Sequence, residues 1–152
     1  WVAAATLNID TERISNQAYT LSADEITINE TGLYFIRAHL TGNGAAGGGN
    51  NYSYMTLQGQ QNIAGGGFTN VTGATCSAWV RNDADSRNSC AMSWIATYNN
   101  SDIIRLQHSA NDTSVTITTV ANESGIQVIK LSDTGADLAE LYQTDEIGRA
   151  HV

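Results

Sequence analysis

The 152-residue chain has no proline, a single lysine (Lys130), only two cysteines and no long apolar run. A membrane-spanning helix needs about 18 or more consecutive apolar residues, so the chain reads as soluble, without membrane insertion. Its start, Trp1-Val2-Ala3-Ala4-Ala5, lacks the basic-then-apolar layout of a signal peptide, and the absent initiator Met is consistent with a processed or partial product. Charge is scarce as well. Charged residues make up 14% of the chain, against about a quarter in an ordinary globular domain, so most of the surface is amide, hydroxyl and glycine. Fifteen acidic side chains stand against seven scattered basic ones, a net charge of −8. Such a chain repels phosphate backbones, and with no basic stripe to offset this, nucleic acid is excluded as a partner.

Catalytic and metal signatures are missing too. His39, His108 and His151 lie far apart, and no H-E-x-x-H or G-x-S-x-G surrounds them. Gly42-Asn43-Gly44-Ala45-Ala46-Gly47 has the letters of a dinucleotide fingerprint, but more glycine and a strand follow where a helix must open. No acid occurs between Glu30 and Asp83 to hold a ribose. It reads as a glycine-rich loop. The oxygen-rich segment 82–88 has Arg87 where a calcium loop needs an acid or amide, and lacks the glycine and glutamate that complete one; it reads as a hairpin tip. The spacing of Cys76 and Cys90 fits no zinc or redox pattern. The expectation is a non-enzymatic protein with no catalytic residue, cofactor or metal site.

What the sequence does contain is period-two alternation. In Leu33 to Leu40, Tyr34, Ile36, Ala38 and Leu40 share one face, while Leu33, Phe35, Arg37 and His39 share the other. The first face reads as core. Further strands are expected at 17–21, 25–29, 53–58, 75–81, 90–98, 102–109, 113–120 and 125–131, each bounded by Gly, Asn, Asp or Ser clusters. His39 and His108, in such strands, read as partly buried packing or interface residues. Eight or more short strands with no helix between them imply an all-β sandwich or barrel. The glycine-rich stretches 42–49 and 65–67 read as long, mobile surface loops. If 75–81 and 90–98 paired as one hairpin about Asp83, the sulfurs of Cys76 and Cys90 would face each other, and a disulfide could form. Two buried free thiols are the other reading.

Residues 1–131 form the expected domain. Residues 132–152 form an acidic tail with a net charge of −4, in which Leu138, Leu141 and Tyr142 fall at helical spacing behind Asp133 and Thr134 as caps. So short a helix is unstable alone, and the tail reads as a segment that docks on a partner or frays. Six N-x-S/T sequons occur, at Asn29, Asn51, Asn70, Asn99, Asn111 and Asn122, about twice the three that composition gives by chance.

The segment Ile26-Thr27-Ile28-Asn29-Glu30-Thr31-Gly32-Leu33-Tyr34-Phe35-Ile36 resembles the signature strand of the tumour necrosis factor and complement globular-head superfamily, a polar turn leading into Gly-x-Tyr and an alternating strand. Trp94 to Leu106, with Asn100-Ser101-Asp102 before Ile103, is similar to that family's strand, Gly-Asp turn and strand, with Ser101 in place of the glycine. Gly125 to Leu131 resembles its closing strand. The resemblance spans about residues 15–131. It implies a two-sheet antiparallel jelly-roll sandwich, eight to ten strands here, that assembles as a homotrimer, with Phe35, Arg37 and His39 toward the three-fold axis. Likeness to phage head proteins of this fold suggests a virion-surface module, a capsid decoration or head-fibre protein whose partner is a capsid or other large assembly. The alternative is an extracellular receptor- or glycan-binding head that uses the loops 42–51 and 64–70 or the Trp79 and Trp94 side chains.

Overall fold

The computed structural model describes residues 5–9, 17–44, 52–81, 86–111, 116–120 and 122–133. Ten strands are present among them: β1 (Ala5–Thr6), β2 (Tyr19–Ser22), β3 (Glu25–Ile28), β4 (Gly32–Gly44), β5 (Tyr52–Asn62), β6 (Phe68–Arg81), β7 (Arg87–Tyr98), β8 (Ile103–Ala110), β9 (Ile117–Thr119) and β10 (Gly125–Ser132). They form two antiparallel sheets. One runs in the order β2-β3-β8-β5-β6, with β1 beside β8; the other runs β10-β4-β7, with β9 beside β4. The chain crosses between sheets at β3–β4, β4–β5, β6–β7, β7–β8 and β8–β9. That alternation makes a jelly-roll sandwich rather than a meander.

Alternation decides what fills the space between the sheets. Tyr34, Ile36, Ala38 and Leu40 of β4 are fully buried, as are Met55 and Leu57 of β5, Val80 of β6 and Ile104 and Leu106 of β8. Each occupies every second position of its strand, so one face of each strand meets the core. The Tyr34 hydroxyl donates to the backbone oxygens of Glu30 at 2.6 Å and Ala18 at 3.3 Å. Its ring meets that of Tyr98 edge-on at 6.2 Å. The Tyr98 hydroxyl accepts from the Trp94 indole at 2.9 Å and donates to Gln61 at 3.2 Å. Every buried aromatic polar atom in this cluster therefore has a partner, as burial requires.

Several expectations are corrected. Gly42 and Gly44 are not loop residues: β4 continues to Gly44, and a methyl group on Gly42 would lie 2.6 Å from the Met55 sulfur and 2.9 Å from Ile117. The glycine there permits close approach inside the core, which composition alone does not distinguish from a loop. The stretch 65–67 is not a long loop. It belongs to a tight turn over 63–67, with positive φ at Ala64, Gly65 and Gly67, and β6 begins at Phe68, so 68–70 are strand. Residues 75–81 and 90–98 do not pair as one hairpin: β6 bonds to β5 and β7 to β4, in opposite sheets. Of the strand expected at 113–120, Ile117–Thr119 is strand and 112–115 lie outside the described residues. The pair Ala5–Thr6 was not foreseen, because two residues carry no periodicity. The remainder of the glycine stretch, 45–50, the hairpin-tip residues 82–85 and His151 also lie outside the described residues.

Candidate functional site: the outer face of the β10–β4–β7 sheet

The inward residues of β4 leave Leu33, Phe35, Arg37 and His39 on the opposite face. Register brings further apolar residues beside them. Phe35 stands opposite Ile129 of β10 on one side and Ile95 of β7 on the other, so Ile129, Phe35 and Ile95 form a continuous row across three strands. Ile95 is 57% exposed, Ile129 40%, and Leu131, beside the β-bulge between Lys130 and Ser132, 48%. A row of aliphatic side chains half in water is costly to leave uncovered, at about 25 cal/mol per Å², and is unusual for a solitary subunit. Further along, Arg37 stands between Gln127 and Ser93, and His39 between Gly125 and Ala91, both exposed. The face therefore grades from apolar to polar. Among the described residues no carboxylate lies within ion-pair distance of Arg37.

The expected roles of the histidines part here. His39 is exposed rather than partly buried, because its position faces away from the core. His108 faces inward beside Leu57, and burial pushes its imidazole below the ordinary pKa.

Two features hold the face in place. Gly32 opens β4 where β10 bulges, and a methyl group there would collide with the Ser132 carbonyl oxygen and the Lys130 side chain. Lys130, the one lysine, donates to Glu30 at 2.8 Å and to Asp133 at 2.6 Å. These paired hydrogen bonds, to Asp133 first, raise its pKa and hold the ammonium charged. The end of β10 is thereby tied to the β3–β4 turn at the point where the acidic tail leaves.

On the far edge of the sandwich Cys76 and Cys90 are joined by a disulfide, with Cα atoms 5.7 Å apart. Both face inward on strands of different sheets, so the bond links the two layers. Trp94 is not available as a contact residue: it is buried, its indole lying against Gly59, where an added methyl group would meet it at 3.0 Å. Trp79 is 47% exposed on the outer face of β6. Leu138, Leu141 and Tyr142 lie outside the described residues. Among those described, no cluster of three or more His, Cys, Asp or Glu side chains is placed to hold a metal.

The architecture is shared with known structures. It is TNF-like. Murine APRIL at pH 5.0 matches with a TM-score of 0.56 at 14% identity, over 77% of this chain and 80% of that one. Eiger TNF from S. frugiperda matches with a TM-score of 0.57 at 16% identity, over 76% and 69%. Murine APRIL at pH 8.5 gives 0.53 at 13% identity, over 77% and 78%. No protein-family model and no curated protein sequence matches the chain. At these identities the likeness is one of fold.

Sequence reasoning reached Phe35, Arg37 and His39 but missed Ile95, Ile129 and Leu131. The signal was present. In 90–98 and 125–131, Ile95 and Ile129 alternate with the inward residues Trp94 and Val128, but only the register shows that they flank Phe35.

Proposed function

We propose that the protein is a non-enzymatic binding and structural module that acts as a homotrimer, associating through the outer face of β10-β4-β7. The observation that carries this is the row of exposed Ile129, half-buried Phe35 and exposed Ile95, with Leu131 at its margin. It lies on the face of the Gly-x-Tyr strand that the superfamily resemblance directs toward a three-fold axis. Arg37 and His39, further along the same strands, would ring the axis with solvent between like charges. In this reading the module decorates a virion surface, and the net −4 tail of residues 132–152 anchors it to the capsid. A second reading, an extracellular receptor- or glycan-binding head, is favoured by the Cys76–Cys90 disulfide, which persists in oxidising surroundings.

Native mass measurement tests the assembly. Wild type is expected at three times the chain mass, and Ile95→Lys, which places three ammonium groups in the contact, at one. A monomeric wild type, or a trimeric Ile95→Lys variant, removes this face as the interface. Deleting residues 134–152, which spares Ser132 of β10 and the Lys130–Asp133 pair, is expected to abolish retention on purified shells while leaving the trimer intact; unchanged retention removes the anchoring role.

A further inference from the structure

The outer face of the other sheet carries a second set of exposed rings. Tyr52 and Tyr54 occupy alternate positions of β5 and are 58% and 47% exposed; Trp79 lies directly opposite Tyr54 on β6. The two tyrosine rings are 6.2 Å apart and nearly perpendicular. Opposite Tyr52 stands Arg81, whose guanidinium carbon lies 5.7 Å from the centre of the Trp79 ring. Next along the face, the Thr56 and Ser77 hydroxyls meet at 3.0 Å.

The rings stand on strands rather than loops, and their backbones are pinned. The Asn111 side-chain oxygen accepts from the Tyr54 amide at 2.6 Å, and the Asn88 side-chain amide donates to the Trp79 carbonyl at 3.0 Å. The disulfide at Cys76 fixes β6 three residues before Trp79. A platform so built is ordered before any ligand arrives, which lowers the entropic cost of binding. The exposed ring surface amounts to roughly 300 Å², about half of the 150–250 Å² that each aromatic carries. A stable protein interface needs about 800 Å² per partner, so the platform matches a small ligand.

Charge narrows the class. No acidic residue occurs between Glu30 and Asp83, so β5 and β6 carry no carboxylate and Arg81 is their one charged side chain. Aromatic faces are negative and attract the C–H edges of a sugar ring, and a guanidinium beside them can form paired hydrogen bonds with a carboxylate.

We propose that Tyr52, Tyr54, Trp79 and Arg81 form a binding site for an acidic glycan, a pyranose ring stacking on Trp79 and Tyr54 while its carboxylate pairs with Arg81. Thr56 and Ser77 supply hydroxyls for the ring substituents. The site lies on the opposite sheet from the trimer face and does not depend on it.

The test uses the full chain with sialylated and uronic-acid oligosaccharides, and their neutral counterparts, titrated by isothermal calorimetry. An acidic oligosaccharide is expected to bind, with affinity reduced about ten-fold or more by Trp79→Ala, by Tyr54→Ala and by Arg81→Gln, and reduced by salt. Native mass and thermal midpoint of each variant should match wild type. Ile95→Lys, monomeric if the trimer reading holds, should retain the single-site affinity, so the two readings fail separately. Absence of binding by wild type, equal binding of the neutral sugars, or undiminished binding by both ring variants overturns the proposal. So does dissociation of the Trp79→Ala variant, which would make this face a contact between copies.

Discussion

Ser101 shows how one residue can depart from a pattern and still keep its geometry. The turn that leads into β8 requires a left-handed residue, and Ser101 supplies it at φ 75°. Its amide donates to the Ile28 carbonyl at 2.8 Å, and its hydroxyl donates to the Asn100 side chain at 3.1 Å. Asp102, buried, holds the turn by accepting from the Asn99 amide at 2.7 Å and the Ala64 amide at 3.0 Å. An L-residue in this conformation costs about 1–2 kcal/mol, while glycine forfeits about 0.5–1 kcal/mol through a freer unfolded chain. Ser101→Gly is therefore expected to stabilise the fold by about 0.5–1 kcal/mol, measured by urea denaturation. A loss of stability would show that the serine hydroxyl contributes more than the strain it offsets. The identity of the residue was plain in the sequence; its φ came from the pairing of β3 with β8, which no local pattern encodes.

The strands were legible where alternation was strong. Tyr34 to Leu40 announces both a strand and its inward face, because side-chain period is fixed by the pleat. Boundaries were not legible where glycine had two meanings: Gly42 is core and Gly65 is turn, although both sit in glycine-rich stretches. The cysteines are similar. Their symmetry about Asp83 suggested facing sulfurs within a hairpin, whereas the bond joins β6 to β7 across the two sheets. Closing a loop of this length contributes about 3 kcal/mol in the chain-entropy model. Reduction, or Cys76→Ser with Cys90→Ser, is expected to lower unfolding stability by about that amount while the strand content persists in circular dichroism. An unchanged midpoint would mean that packing of β6 against β7 alone closes this edge.

At the scale of the whole molecule the two sheets divide their labour. Both inner faces build one core; the outer face of β10-β4-β7 is apolar in a row, and that of β5-β6 carries rings beside hydroxyls and a guanidinium. A copy bound to the first face adds its binding free energy to folding, so apparent stability rises with protein concentration. The thermal midpoint of wild type is expected to climb over a hundred-fold increase in concentration, and that of Ile95→Lys to stay constant. A midpoint independent of concentration in wild type would place the apolar row in water on a stable single subunit.

The sequence by itself determined the class: absence of proline, absence of helical period before the tail, abundance of Thr, Asn and Gly, and alternation in strand after strand permit only a β-sandwich or barrel for residues 1–131, because these are properties of each residue and its nearest neighbours. The Gly-x-Tyr strand narrowed that to a jelly roll. Only the tertiary structure decided which residues stand side by side. Ile95, Phe35 and Ile129 come from three strands up to 94 positions apart, as Tyr54 and Trp79 come from two, and register between strands is set by the turns and the packing of the whole core rather than by any segment alone.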